Sequence, residues 1–156
     1  MKGNSELVVR RILKNPEELT LLLDCLDEEG DAMHMRCCDA MEKISRQHPE
    51  WFNKSKRHLL FVSQSATQKE VRWHLAQIIP RLALTAQQRL HAYQTFQSYL
   101  DDKSSIVKTF AMQALTDLAM QDVSLVDTTR TTIKHLTKNG TPAMQSRGRQ
   151  LLRTLG

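Results

Sequence analysis

One spacing recurs along this chain and constrains its fold more than any other feature. The apolar residues Leu19, Leu22, Leu26, Met33, Cys37, Ala40, Met41 and Ile44 return 74 positions later as Tyr93, Phe96, Leu100, Val107, Ala111, Ala114, Leu115 and Leu118. Between the two sets, Val71, Leu75, Ile78, Ile79 and Leu82 repeat the second half at an offset of 38, and a further 36 leads on to Val107. Another step of 36 falls on Ala143, Arg147, Gln150, Leu151 and Thr154, a degenerate copy with Leu152 and Leu155 beside the expected places. Steps of three, four, seven and eight put side chains on one face of a helix, whereas a strand alternates by two. Each copy is therefore two helices joined by a turn. A unit of that size has too little apolar surface to fold alone and must stack on its neighbours.

The punctuation fits this division. The spacing predicts a short helix over about 5–14, then helix pairs over about 16–47, 50–83, 86–121 and 124–155, in one domain spanning 1–156. Asn15-Pro16-Glu17-Glu18 supplies an N-cap, a proline at the first helical position and an acid for a capping box. Thr67 with Glu70, Thr85 with Gln88 and Ser124 with Asp127 repeat the motif, and Thr141-Pro142 opens the last helix. Gly30 and Gly140 fall in turns, and Pro80 is expected to kink or end its helix.

Composition narrows the class. The 156 residues carry 22 Lys and Arg against 17 Asp and Glu, a net charge of +5, with 40% apolar residues. That balance excludes a disordered or collagen-like chain. Five glycines and four prolines are too few for a turn-rich β protein. No apolar run approaches the roughly 18 residues that span a bilayer, and Leu7-Val8-Val9 is too short for a signal-peptide core, so a cytoplasmic protein with no membrane partner is expected. The cysteines, Cys25, Cys37 and Cys38, are odd in number and two are adjacent; reduced thiols are the simpler expectation.

The third copy reads Leu100-Asp101-Asp102, then Val107-Lys108, Ala111, Leu115 and Leu118; the second echoes it with Val71-Arg72 and Leu75-Ala76. This resembles the HEAT repeat, whose second helix opens with an Asp followed by a Val-Arg or Val-Lys pair and an Ala. The units here, of 36–38 residues, are shorter than the ~40–47 usual for HEAT and armadillo repeats. The resemblance implies an all-α fold, a right-handed α-solenoid of about four two-helix HEAT-like repeats plus a short N-terminal helix. It also implies a scaffold or interaction module that binds a partner protein or peptide on its second-helix face. Some HEAT-like proteins instead bind DNA and remove alkylated bases, which requires aromatic residues and a carboxylate gathered in one groove; Trp73 is available, but the sequence shows no matching acid.

Motifs of chemistry are sparse. There is no glycine-rich phosphate loop, no Cys-x-x-Cys, no His-Glu-x-x-His and no Gly-x-Ser-x-Gly, so neither a catalytic residue nor a cofactor is expected. His34 and Cys38 lie one helical turn apart, but a zinc site wants about four ligands, and Cys37 belongs to the apolar stripe. Trp73, two positions after Val71, points away from that stripe. It is either wedged between repeats or offered to a partner beside Arg72. Trp51 and Phe52 read as core anchors. Arg72 and Lys108 hold equivalent places in successive repeats, either as a basic stripe or paired with a turn acid such as Asp102; His34 and Met144 fill that place in the first and fourth copies.

Charge is segmental. Residues 17–31 hold seven acids and no Lys or Arg, residues 32–100 ten bases and four acids, residues 101–127 two bases and five acids, and residues 128–156 six bases and no acid. Arg130, Lys134 and Lys138 share one helix face, and Arg149 with Arg153 form a second pair. They are either a solvated cap or an anion-facing patch. Arg72, Trp73, Lys108, Arg149 and Arg153 are thus the candidate partner-binding residues, with nucleic acid the less favoured ligand.

Overall fold

The periodicity is realised as helix throughout. In the computed structural model, residues 2–28 and 30–156 are described, the side chains of Lys2 and Gly3 excepted, and these contain α-helices and short 3-10 turns with no strand. They form two compact units, Met1–Leu84 and Thr85–Gly156.

The first unit runs α1 (Lys2–Lys14), a 3-10 turn (Pro16–Glu18), α2 (Leu19–Cys25), α3 (Asp31–Gln47), a 3-10 segment (Pro49–Ser55), α4 (Lys56–Ser65), α5 (Lys69–Ile78) and a closing 3-10 turn (Ile79–Arg81). Pro80 sits in that last turn, so α5 stops where the proline requires it. The helix α3 is central: α1, α2 and α5 pack against it, and α4 packs on α5. Cys38, Met41, Ile44, Phe52, Leu59 and Leu75 are completely buried or nearly so. Gly30 caps α3 at φ 127°, a left-handed conformation that a side chain disfavours.

The second unit contains α6 (Ala86–Tyr99), α7 (Ser105–Ala119), a 3-10 turn (Val123–Leu125), α8 (Val126–Asn139) and α9 (Pro142–Leu155). Here α6 packs on α7, α7 on α8 and α9, and α8 on α9. Each helix pair thus closes on itself, and the second helices α7 and α9 also meet. Met112, Ala119, Ile133, Met144, Leu151 and Leu155 form one core cluster. The Tyr93 hydroxyl and Thr129 Oγ1 are 2.6 Å apart, so these buried polar groups of α6 and α8 satisfy each other.

Burial follows the repeat closely and corrects it in places. Of the paired sets, Met33 is 50% exposed and Leu100 half-buried; the others are buried. The last copy is offset by 37 rather than 36: Met144, Gly148, Leu151 and Leu155 are the buried residues, equivalent to Val107, Ala111, Ala114 and Leu118. The N-caps agree, because Gly30, Gln68, Ser104 and Thr141 stand 38, 36 and 37 apart. The residue equivalent to Arg72 and Lys108 is then Gln145, not Met144.

The caps divide similarly. Thr85 and Gln88 form the expected capping box, and the Thr141 hydroxyl accepts the Met144 N–H. Neither Asn15 nor Thr67 caps as expected, and Asp122 rather than Ser124 caps the turn before α8. Phe52 is fully buried, whereas Trp51 is only half-buried and stacks on His48 with ring centroids 4.0 Å apart.

Reduced thiols were the expectation, and two of the three are paired. The α2–α3 hairpin brings Cys25 and Cys37 to a Cα–Cα distance of 6.7 Å, where they form a disulfide. An odd cysteine count carries no information about such a turn-closed pair. The cysteines therefore lend no support to a cytoplasmic location. Cys38 is the free cysteine; burial pushes its thiol up to about 12.

Candidate functional site

The second helices of the first unit carry a polar cluster that joins three elements. Asp39 and Lys43 stand one turn apart on α3, Ser5 comes from α1, and His74 comes from α5. The Ser5 hydroxyl donates to Asp39 Oδ2 at 2.6 Å, and Lys43 Nζ donates to the same oxygen at 2.9 Å. Lys43 Nζ also reaches Ser5 Oγ at 3.2 Å. The other carboxylate oxygen, Oδ1, lies 3.6 Å from His74 Nε2.

One partner of His74 places a proton on its Nδ1. Its Nδ1 is 2.5 Å from the Glu70 carbonyl oxygen, which only accepts, so Nδ1 carries a proton and Nε2 is the nitrogen that faces Asp39. His74 is 8% exposed, and the Trp73 ring lies 5.6 Å from its imidazole at a tilt of 40°. Trp73 itself is half-buried.

Burial works against the charge on Asp39, but the hydrogen bonds from Ser5 and Lys43, the Lys43 charge and His74 outweigh it and hold the carboxyl below its ordinary range. Asp39 is thus a fixed negative charge at neutral pH and a weak base. The Ser5 proton points to Asp39, not to His74, so this is not a nucleophile–base–acid relay. What the cluster offers is a rigid anion and a tryptophan edge at a half-open surface.

The sequence-derived residues divide between the units. Arg72 and Trp73 lie on α5 in the first. The Arg72 Nε donates to the Ala66 carbonyl at 2.8 Å, so this cation braces the α4–α5 turn. Lys108 is half-buried on α7, and Asp102 accepts the Ser104 N–H at 2.7 Å. Arg149 and Arg153 are exposed on α9, with Arg153 Nε 3.3 Å from the Arg149 carbonyl. The His34 ring is engaged by the Glu28 carbonyl and by Gln68. Among the described residues no three His, Cys, Asp or Glu side chains are placed to hold a metal, and no helix is long and apolar enough to cross a membrane.

Asp39, His74, Lys43 and Ser5 were missed by sequence reasoning. The sequence carried no signal for them, because their equivalence to residues of the second unit needs the observed last offset of 37. By the repeat offsets, Asp39 is equivalent to Gln113, and His74 to Arg147. Arg147 Nη1 donates to Gln113 Oε1 at 2.8 Å. The same two repeat positions therefore link successive second helices in both units.

Compared with protein-family models, with curated proteins and with solved structures, the chain finds no match.

Proposed function

We propose that the chain is a non-enzymatic interaction module, built as a short α-solenoid of HEAT-like repeats, that binds a partner protein or peptide on its second-helix face. The observation that carries this reading is Trp73. It is a large aromatic left half-exposed on a second helix, adjacent in sequence to Arg72 and packed beside a pre-organised ion cluster. Tryptophan and arginine dominate binding hot spots because they bury much surface around a polar handle. A fixed Asp39 charge beside the indole adds directionality to such an anchor.

The test is affinity capture from native lysate with the unaltered chain and with Trp73→Ala. The substitution is expected to abolish co-purification of the specific partner while the melting temperature moves by only a few degrees. Undiminished capture removes Trp73 from the interface. A stability loss of ~3–5 kcal/mol, as for a buried aromatic, makes it core instead.

Asp39 favours a second reading. A nucleic-acid-binding, base-removing HEAT-like protein needs a carboxylate near an aromatic residue, and Asp39 supplies one through His74. On this reading the chain releases alkylated bases from methylated duplex DNA, and Asp39→Asn abolishes the release. No release by the unaltered chain discards it.

A further inference from the structure

Phe61 is 67% exposed on α4. Its helical neighbours Arg57, Gln64 and Ser65 are exposed polar residues, so the packing of α4 does not account for it. Phe61 lines a cleft of about 230 Å³ at the tips of the α2–α3 and α4–α5 hairpins, whose apolar walls are Leu26, Val62 and Val71. That volume is below the ~300–1,000 Å³ of small-molecule sites. It suits one or two side chains of a partner.

One rim of this cleft is acidic and held in place. Asp27 lines it, and its carboxylate receives His58 Nε2 at 2.8 Å. Asp31 opens α3 just outside the lining, and its carboxylate receives the side-chain amide of Gln68, which lines the cleft. Both acids are exposed, so each keeps lone pairs available to a further donor. Outside the lining, Lys69 is exposed and Arg72 is half-buried, its Nε donating to the Ala66 carbonyl at 2.8 Å. The whole chain is basic, yet residues 17–31 hold seven acids and no Lys or Arg. With screening over ~8 Å at physiological salt, a docking side chain senses this rim rather than the net charge.

We propose that this cleft docks a basic peptide segment of a partner protein. One apolar side chain seats against Phe61, Leu26, Val62 and Val71, and an adjacent Lys or Arg lies on the Asp27 and Asp31 carboxylates. Holding the acids in advance removes part of the ordering cost of binding. This surface does not include Trp73 or Asp39, so either one can fail without the other.

Three fluorescein-labelled nonapeptides test it by anisotropy on the full chain at about 150 mM salt. The first has a central Leu flanked by two Lys on each side, the second Glu in place of Lys, and the third Ala in place of Leu. The Lys–Leu peptide is expected to bind at least tenfold more tightly than either control. Phe61→Ser and the double change Asp27→Asn with Asp31→Asn are each expected to weaken it at least tenfold. Asp24→Asn, an exposed acid outside the lining, leaves it unchanged. Circular dichroism and melting temperature confirm that the variants fold. Equal or tighter binding of the Glu peptide, or indifference to the Phe61 and Asp changes, overturns the proposal. Self-association of the chain that Phe61→Ser abolishes also overturns it, by assigning the cleft to a second copy.

Discussion

Glu42 shows how much can rest on one side chain. Its carboxylate is 3% exposed and meets two arginines, Arg46 at 2.8 Å and Arg81 at 3.3 Å. Arg81 also donates to the Glu42 carbonyl at 3.1 Å and to Ser45 Oγ at 2.8 Å. Arg46 is 60% exposed and one turn away, so its pairing is screened and worth about 0.3–0.5 kcal/mol. Arg81 comes from the turn after α5 and supplies the donors that keep a desolvated carboxylate tolerable. Arg81→Met is therefore expected to cost about 2–4 kcal/mol in urea unfolding, and Arg46→Met less than about 0.5. Equal losses contradict this division. Asp39 gives a pH prediction. Its folded-state carboxyl is held low, so the stability it contributes is complete above the ordinary aspartate range near 3.9 and is lost as pH falls through the lower folded value. Asp39→Asn should flatten the fall in melting temperature below about pH 4, measured by calorimetry from pH 7 to 3. Thiol titration checks the cysteines: no reactive thiol when native, one after unfolding, and three after reduction. None of these contacts was legible in the sequence. Glu42–Arg81 and Asp39–His74 join residues 39 and 35 positions apart, and only packing decides which polar side chains meet.

Legibility is greatest at the scale of the helix, because burial of a continuous face leaves a period that needs no partner to be seen. The pairs, the stop at Pro80 and most of the stripe follow from spacing alone. The last copy was misplaced by one residue, and one residue turns a helix by about 100°. The cause is Gly148, which shows no apolar side chain and so broke the pattern. Its role is close approach. A Cβ there would collide with Thr137 Oγ1, come within 2.9 Å of the Thr137 Cβ, and crowd Met112 Cε at 3.3 Å. Gly148→Ala gains about 1 kcal/mol of helix propensity and loses more to overpacking between α8 and α9. The expected net loss is about 1–2 kcal/mol, read as a lower urea midpoint at unchanged slope. A stabilised Gly148→Ala would mean that α8 and α9 separate freely at this point.

For the whole molecule, the sequence shows where charge is but not which charges remain available. Residues 128–156 hold six bases and no acid, which reads as either a solvated cap or an anion-facing patch. The structure commits two of the six. Arg130 pairs with Asp127 at 2.7 Å and donates to the Leu155 and Gly156 carbonyls at 2.9 and 3.0 Å, closing the end of α9. Arg147 bonds Gln113 and lies 6.0 Å over the Phe110 ring. Lys134, Lys138, Arg149 and Arg153 remain exposed. Four phosphate contacts give a slope of log affinity against log salt of about −3.6. Duplex binding by this segment should thus fall on the order of 100-fold between 50 and 200 mM salt. Lys134→Gln with Lys138→Gln should flatten the slope by about 1.8, since two contacts are lost. Arg130→Gln should leave the slope unchanged and lower the melting temperature, because that cation caps a helix. A slope steeper than about −5 in the unaltered chain requires cations beyond these four. It would shift the balance toward the nucleic-acid reading; a slope near about −3.6 or shallower leaves the segment a solvated cap with weak, non-specific anion affinity.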